Sequence, residues 1–267
     1  MLNLHVELKD DEFHQIRKLI YEWAGISMND SKRALVSGRL LKRLRHYHFT
    51  SFREYIKLVT SSDEERQVFL NLLSTNETYF FREPKHFDYL RDVILPKFPA
   101  SRKIRVWSAA SSSGEEIYTI AMVLGEYFKG DWDILGSDIN EEMLSIAARG
   151  VYPMEDAEKI PPEFLKKYCL KGVKSQEGFF TIQKNIKSRV KFMRVNLNED
   201  IPDIGSFDII FLRNVMIYFD RETKIGILNR LIPRLKNDGY FIVGHAENLH
   251  GLTDQLVAKV PTIYTKK

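Results

Sequence analysis

A run of small residues and an acid, each following an apolar stretch, form the part of this sequence best suited to chemistry. Ser108-Ala109-Ala110-Ser111-Ser112-Ser113-Gly114 follows Ile104-Arg105-Val106-Trp107 and leads into Glu115-Glu116. Side chains this small let a ligand approach the backbone of a strand-to-helix turn. Only Gly114 is glycine, so the turn is not a GxGxxG phosphate cradle. A helix N-terminus favours anions, but Glu115 and Glu116 already occupy that first turn, which disfavours a phosphate and suits a ligand bearing a cation. About 20 residues further on, Ser137-Asp138-Ile139-Asn140 closes a second apolar stretch, where an acid accepts hydrogen bonds from both hydroxyls of a ribose. The same carboxylate would serve equally as a helix cap ahead of Glu141, and spacing alone does not choose between the two roles. A ribose-binding acid without a phosphate loop points to an adenosine compound lacking phosphates, of which S-adenosylmethionine is the obvious one.

Those turns need strands and helices to hold them. Ile104–Trp107, Trp132–Gly136, Val190–Met193, Phe207–Phe211 and Gly239–Val243 read as short strands. Glu115–Phe128, Glu141–Ala148 and a stretch from about Arg221 to Leu235 read as helices between them. This alternation predicts an α/β domain with a parallel sheet covered on both faces, whose ligand lies at the strand ends. Between Tyr152 and Arg189 the rhythm breaks at Pro153, Pro161 and Pro162, and Gly178-Phe179-Phe180-Thr181-Ile182 looks like an isolated strand, which predicts a small inserted β subdomain over about 152–189. Residues 1–75 carry apolar residues at helical spacing (Phe13, Ile16, Leu19, Ile20, Trp23, then Leu35, Leu40, Leu41, Leu44), with Gly25 as a stop and Ser31 as a cap. Nothing there resembles a strand, so an all-helical domain over 1–75 should precede the α/β domain of 76–267.

Bulk properties narrow the class. A chain of 267 residues with 44% hydrophobic content can bury a sizeable core, and no apolar run approaches the roughly 18 residues of a membrane span. The start, Met1-Leu2-Asn3-Leu4-His5, lacks the charged and apolar regions of a secretory leader, and Cys169 is the only cysteine, so a cytoplasmic protein without disulfides is expected. The net charge of +4 is mild but uneven: Lys32, Arg33, Arg39, Lys42, Arg43, Arg45 and Arg53 follow one another with no acid among them. Such a run is either a solvated helix face or a docking surface for an acidic partner.

Five ordered motifs carry a family resemblance. They are Asn76-Glu77-Thr78-Tyr79-Phe80-Phe81-Arg82-Glu83, Arg105 to Glu116, Ser137-Asp138-Ile139, Arg213-Asn214-Val215-Met216-Ile217-Tyr218-Phe219 and Gly244-His245-Ala246-Glu247-Asn248. Together they resemble the chemotaxis protein methyltransferases (the CheR family) over nearly the whole chain. Ile117 departs from a common proline and Ala246 from a common serine; neither bears a proposed chemical role. The resemblance implies a Rossmann-like doubly wound S-adenosylmethionine-dependent methyltransferase domain that esterifies receptor glutamates, with S-adenosylhomocysteine as product and no metal. It places Asn76, Thr78, Arg82, Glu116, Asp138, Asn196, Leu197, Arg213 and Asn214 against the cofactor, and Arg82 and Tyr218 at the reaction centre. Arg33, Arg39 and Arg43 would dock the cytoplasmic helical domain of a receptor, and the inserted subdomain is where some members also bind a receptor's C-terminal peptide.

Three other readings compete. One is non-enzymatic, in which the helical part is an adaptor and the sheet binds cofactor as a sensor; a methyl-transfer assay separates that one from an enzyme. The missing glycines disfavour a nicotinamide dehydrogenase. A nucleic-acid methyltransferase could use the basic helix on phosphates, but Arg213-Asn214-Val215-Met216 lacks the Pro-Pro-aromatic sequence common in amino-group methylation of bases. No nucleic-acid partner and no direct membrane insertion are therefore expected.

Overall fold

Apolar residues at helical spacing fold the first part of the chain into four helices in the computed structural model, which describes residues 6–267. The leader reading concerned Met1–His5, which lie outside the described residues. Helix α1 (Asp10–Ala24) buries Phe13, Ile16, Ile20 and Ala24 on one face and ends at Gly25, whose φ of 70° is a left-handed cap open to glycine. Helix α2 (Arg33–His46) buries Val36, Leu40 and Leu44, spaced one turn apart. Helix α3 (Phe52–Ser61) starts at a capping box in which Ser51 and Glu54 satisfy each other's backbone, and α4 (Asp63–Leu73) starts at a Ser62 cap. The expected Ser31 cap is not found: Ser31 lies inside a tight turn over Asp30–Lys32 and bonds Asn29, and α2 begins after it without a side-chain cap.

The rest of the chain alternates as expected. Helix α5 (Lys85–Tyr89) leads to strand β1 (Ile104–Ala109), α6 (Glu115–Tyr127), β2 (Trp132–Asp138), α7 (Glu141–Arg149) and β3 (Val151–Pro153). Then come α8 (Pro162–Tyr168), β4 (Cys169–Lys171), β5 (Phe179–Ile182), α9 (Lys184–Lys187), β6 (Val190–Arg194) and β7 (Phe207–Leu212). Helix α10 (Arg221–Leu231), β8 (Leu235–Val243), β9 (Leu256–Val260) and β10 (Ile263–Lys266) complete it. The main sheet has seven strands in the order β6-β2-β1-β7-β8-β10-β9, with β10 antiparallel to both its neighbours and the remaining pairs parallel. Strand order reverses at β1, which has β2 on one side and β7 on the other, and the crevice beyond such a reversal is where doubly wound sheets bind ligands.

Side-chain alternation builds a core on each face of that sheet. Ile104, Val106, Ile209, Phe211, Tyr240 and Ile242 join one cluster beneath α6, and Trp107, Ala109, Ile210, Leu212, Phe241 and Val243 join the other with α10. Strands buried on both faces therefore read as unbroken apolar runs. A third cluster belongs to the four N-terminal helices. The predicted isolated strand is β5, the middle strand of a three-stranded antiparallel sheet with β3 and β4. Strands β9 and β10 carry too few consecutive apolar residues to have stood out in the sequence, and β9 exposes every residue after Leu256.

Candidate active site

Four loops at the C-terminal ends of parallel strands meet over the crevice: Ala110–Gly114 after β1, Ile139–Asn140 after β2, Val195–Asn198 after β6 and Arg213–Phe219 after β7. The helical domain supplies the opposite wall through Ala24, Ile26, Met28, Lys32, Leu35 and Leu73 at the end of α4, and the linker after α4 supplies Ser74 to Tyr79 and Arg82. Local bonds fasten this wall to the sheet. Ser27 donates its amide to the Tyr218 carbonyl (2.8 Å), Ile26 and Phe219 form an isolated antiparallel bridge, and the Tyr21 hydroxyl donates to Asp220.

All ten residues expected at the cofactor or reaction centre line this one cavity: Asn76, Thr78, Arg82, Glu116, Asp138, Asn196, Leu197, Arg213, Asn214 and Tyr218. Their side chains are not equally free. Asp138 ends β2, buried, with its carboxylate accepting the Ser112 amide (2.8 Å) and the Asn140 amide (2.9 Å). Burial pushes its pKa up despite these bonds. Glu116 accepts Ser108 Oγ (2.7 Å) and the Arg213 guanidinium (2.8 Å). Arg213 also reaches Glu83 (3.0 Å) and the Arg82 carbonyl, and its side chain is 1% exposed, so it braces the site from within. The Asn196 amide is committed to the Trp23 carbonyl (2.6 Å) and to Glu199 (2.8 Å). That leaves Asn196 as wall, with Leu197 buried beside it. The Arg82 side chain donates to the Glu77 carbonyl and lies over the Tyr79 ring, partly exposed at the rim. Tyr218 is also partly exposed, on a short turn over Met216–Tyr218.

The arginines expected to dock a partner sit elsewhere and are engaged within the protein. Arg33 pairs with Asp10 (2.6 Å), Arg43 forms a two-pronged pair with Glu65, and Arg39 donates to the carbonyls of Leu72 (3.0 Å) and Ser74 (2.7 Å). Of the basic run, Lys32, Lys42, Arg45 and Arg53 are exposed, with His46 and His48 beside them, and Arg53 is paired with Asp11.

Two acids inside the quoted motifs emerge as organisers that had been given no role. Glu247 accepts four backbone amides, from Asn214, Val215, Met216 and Gly244, at 2.6–2.9 Å, and so pins the loop after β7 to the end of β8. Glu83 accepts from Arg213, the Asn214 amide and the His245 backbone. Burial would raise the Glu83 pKa, but the Asn214 bond and the Arg213 charge outweigh it and hold the carboxyl at about 2. The signal available in sequence was an acid stranded in a loop beside apolar strand ends. Backbone strain gathers here as well: Phe81, Glu83, Ala110, Ser112 and Asn214 all have φ between 48° and 74°. Left-handed residues other than glycine persist where surrounding bonds over-determine them.

Glu83, His86 and His245 bring donor atoms within 4.8 Å of one another, the one such group among the described residues. His86 Nε2 lies 2.7 Å from the Thr262 hydroxyl, and His86 Nδ1, buried without a hydrogen-bond partner, lies 3.4 Å from Glu83 Oε2. Burial and the Arg213 charge lower the His86 pKa to about 3. Yet Glu83 is already filled by its three donor residues, and a guanidinium 3.0 Å from Oε2 opposes a cation.

The profile described as "CheR methyltransferase, SAM binding domain" matches residues 76–264, and "CheR methyltransferase, all-alpha domain" matches residues 11–74. A doubly wound sheet with a buried acid after its second strand, under that profile, defines an S-adenosylmethionine-binding methyltransferase. The chain is 40% identical to the chemotaxis protein methyltransferase of Escherichia coli (strain K12) over 96% of this chain and 91% of that one. It is 38% identical to the chemotaxis protein methyltransferase 2 of Pseudomonas aeruginosa, covering 96% and 92% respectively. With the chemotaxis protein methyltransferase of Borreliella burgdorferi the identity is 38%, covering 99% and 97%. The chain belongs to the CheR methyltransferase family.

Proposed function

We propose that the chain transfers the methyl group of S-adenosylmethionine to glutamate side-chain carboxylates of chemotaxis receptors, giving glutamate methyl esters and S-adenosylhomocysteine. The observation that carries this reading is that Arg82 and Tyr218 line the same cavity as Asp138, so groups able to orient a carboxylate share one chamber with the ribose acid. The chemotaxis setting comes from the names of the relatives, and the glutamate acceptor is what the family resemblance implies.

The reaction asks little of the protein. A glutamate with a pKa of about 4.3 is already ionised at neutral pH, so no base is needed. A carboxylate oxygen attacks the methyl carbon, the carbon–sulfur bond breaks with its electron pair leaving on sulfur, and no proton moves. Sulfonium and carboxylate both lose charge on the way, so a desolvated chamber with modest hydrogen bonding favours the step. Most of the work is alignment of nucleophile, methyl and leaving sulfur. Arg82 is suited to positioning, because a guanidinium clamped on the attacking oxygen would blunt it. Asp138 would accept the ribose hydroxyls. Arg213 sits between Glu116 and Glu83, so the buried guanidinium holds both acids in place and offsets part of their charge.

The receptor would approach the face carrying Lys32, Lys42 and Arg45, since Arg33, Arg39 and Arg43 are held internally. A receptor's tail peptide would add to an edge of the small sheet, beside Leu170 and Val173, which are 54% and 70% exposed. No helix among the described residues is long and apolar enough to cross a membrane, in keeping with action from the cytoplasm. Incubation with labelled cofactor and either receptor cytoplasmic fragments or duplex DNA tests the assignment. Base-labile label on the receptor is the expected result; label on DNA, or base-stable label on the receptor, would overturn it.

A further inference from the structure

We infer that Arg39 is a positioning residue of the cofactor site, acting through the linker between the helical and α/β domains. The argument begins with an unsatisfied helix end. The last carbonyls of α4 have no partner within the helix, and Leu72 lies in its final turn with Ser74 just beyond it at the cap. Arg39 reaches across from α2 and donates one nitrogen to both carbonyls, at 3.0 and 2.7 Å.

The segment it holds is the start of the cavity wall: Leu73, Ser74, Thr75 and Asn76 all line the cavity. Ser74 Oγ, buried, lies 3.3 Å from Asn76 Oδ1 and accepts the Asn140 side chain at 2.9 Å. The Asn76 carbonyl in turn accepts Ser112 Oγ at 3.0 Å. Asn140 and Ser112 are the two residues whose backbone amides hold the Asp138 carboxylate. Hydrogen bonds thus run from Arg39 to Ser74, from the Ser74 hydroxyl to Asn140, and from the Asn76 carbonyl two residues on to Ser112, the two residues that hold the acid at the end of β2 being Asn140 and Ser112. On the far side α4 is fastened to the sheet by Gln67, which donates to the Ile139 carbonyl. Arg39 supplies the matching attachment on the helical side.

Removing it would leave two carbonyls short of a donor and free the linker to shift away from Asn140 and Ser112. The consequence for function is a weaker grip on the cofactor, with no direct contact between Arg39 and the ligand. A receptor-docking arginine behaves differently: its loss raises the receptor concentration needed and spares the cofactor.

The inference rests on the placement of the cofactor in this cavity, so Asp138→Ala is measured alongside. S-adenosylhomocysteine affinity is read by calorimetry on the full chain without receptor, well below the melting temperature, for Arg39→Ala and Arg39→Met. The methionine keeps the aliphatic stem packed and removes only the donors, and serves if the alanine variant does not fold. Both variants are expected to bind S-adenosylhomocysteine about tenfold more weakly, with an unchanged receptor KM once cofactor saturates. Wild-type affinity in a folded variant would overturn the inference: with only a lowered Tm, Arg39 would be a helix cap, and with a raised receptor KM, a docking residue. Wild-type affinity in Asp138→Ala as well would count against the placement of the cofactor itself.

Discussion

Asp138 illustrates how far a single residue could be read and where reading stopped. Its place after the second strand left ribose acid and helix cap as equal choices; in the structure the α7 cap is Asn140, whose side chain accepts from Met143. The Asp138 carboxylate instead bonds backbone amides on two loops and lines the cavity. Asp138→Ala should lower S-adenosylhomocysteine affinity by about tenfold or more while the protein stays folded, as loss of a charged acceptor predicts; unchanged affinity by calorimetry would remove it from the site. Because burial raises its pKa, protonation begins in less acid solution than for an exposed aspartate. Affinity should therefore fall as the pH drops from neutral, and Asp138→Asn should flatten that dependence. Arg82→Ala should reduce kcat about tenfold, ~1.4 kcal/mol in the barrier, with little change in Tm, since an exposed arginine contributes within about 0.5 kcal/mol to folding. Full turnover with saturating receptor would refute a positioning role. Arg33 and Arg43 show the limit of spacing arguments: the helical period put them on or near one face, but not what α1 and α4 would present to them.

Among the elements, those with a strong period or an unbroken apolar run were legible and the short, solvent-facing ones were not. Strands β1, β2 and β7 and helices α6 and α7 lie within two residues of their expected bounds, whereas β8 begins at Leu235, four residues before the expected Gly239 and where the preceding helix was expected to end. Strands β3, β4, β9 and β10 are short or solvent-facing and lack the unbroken apolar run that marks the buried strands, even though β9 pairs with β10 only two residues further on. The loop after β7 was legible as a motif but not as a structure, because what shapes it is Glu247, 31 to 33 residues away. Glu247→Ala should leave the amides of Asn214, Val215, Met216 and Gly244 without their acceptor. Buried donors left unsatisfied predict a loss of about 2 kcal/mol or more, seen as a Tm fall of roughly 4–8 °C in a chain of this size. Cofactor affinity should fall with it, because Asn214 and Tyr218 lie on the released loop. A melting temperature within about 1 °C of wild type would show that the loop holds its shape without the carboxylate.

At the scale of the molecule, the helical domain does two jobs that composition alone presented as one basic stripe. Part of the stripe bonds inward, and Lys42 and Arg45 remain at the surface for a partner. Lys42→Ala combined with Arg45→Ala should raise the receptor KM by about fivefold at low ionic strength, an electrostatic effect on encounter, and leave S-adenosylhomocysteine affinity alone. The difference from wild type should shrink as salt rises, since exposed charges are screened over about 8 Å at physiological ionic strength. Wild-type kinetics at low salt would make this a solvated face. The division of the chain into a helical bundle and a parallel sheet was visible in the change of hydrophobic period; that the bundle roofs the crevice was not, because it depends on the Ile26–Phe219 bridge and the Ser27–Tyr218 bond.

The five left-handed residues around the cavity also constrain how this sequence can drift. A side chain in that conformation is disfavoured by roughly 1–2 kcal/mol relative to glycine, and a branched β-carbon is worse. At Ala110, with φ of 74°, glycine should therefore be accepted and valine rejected, the reverse of the usual preference beside a strand. A saturation library selected for folded protein should show that inversion at Ala110 and again at Ser112. Substitutions that look conservative would be lost there, and neutral variation in these loops would run toward glycine, asparagine and aspartate.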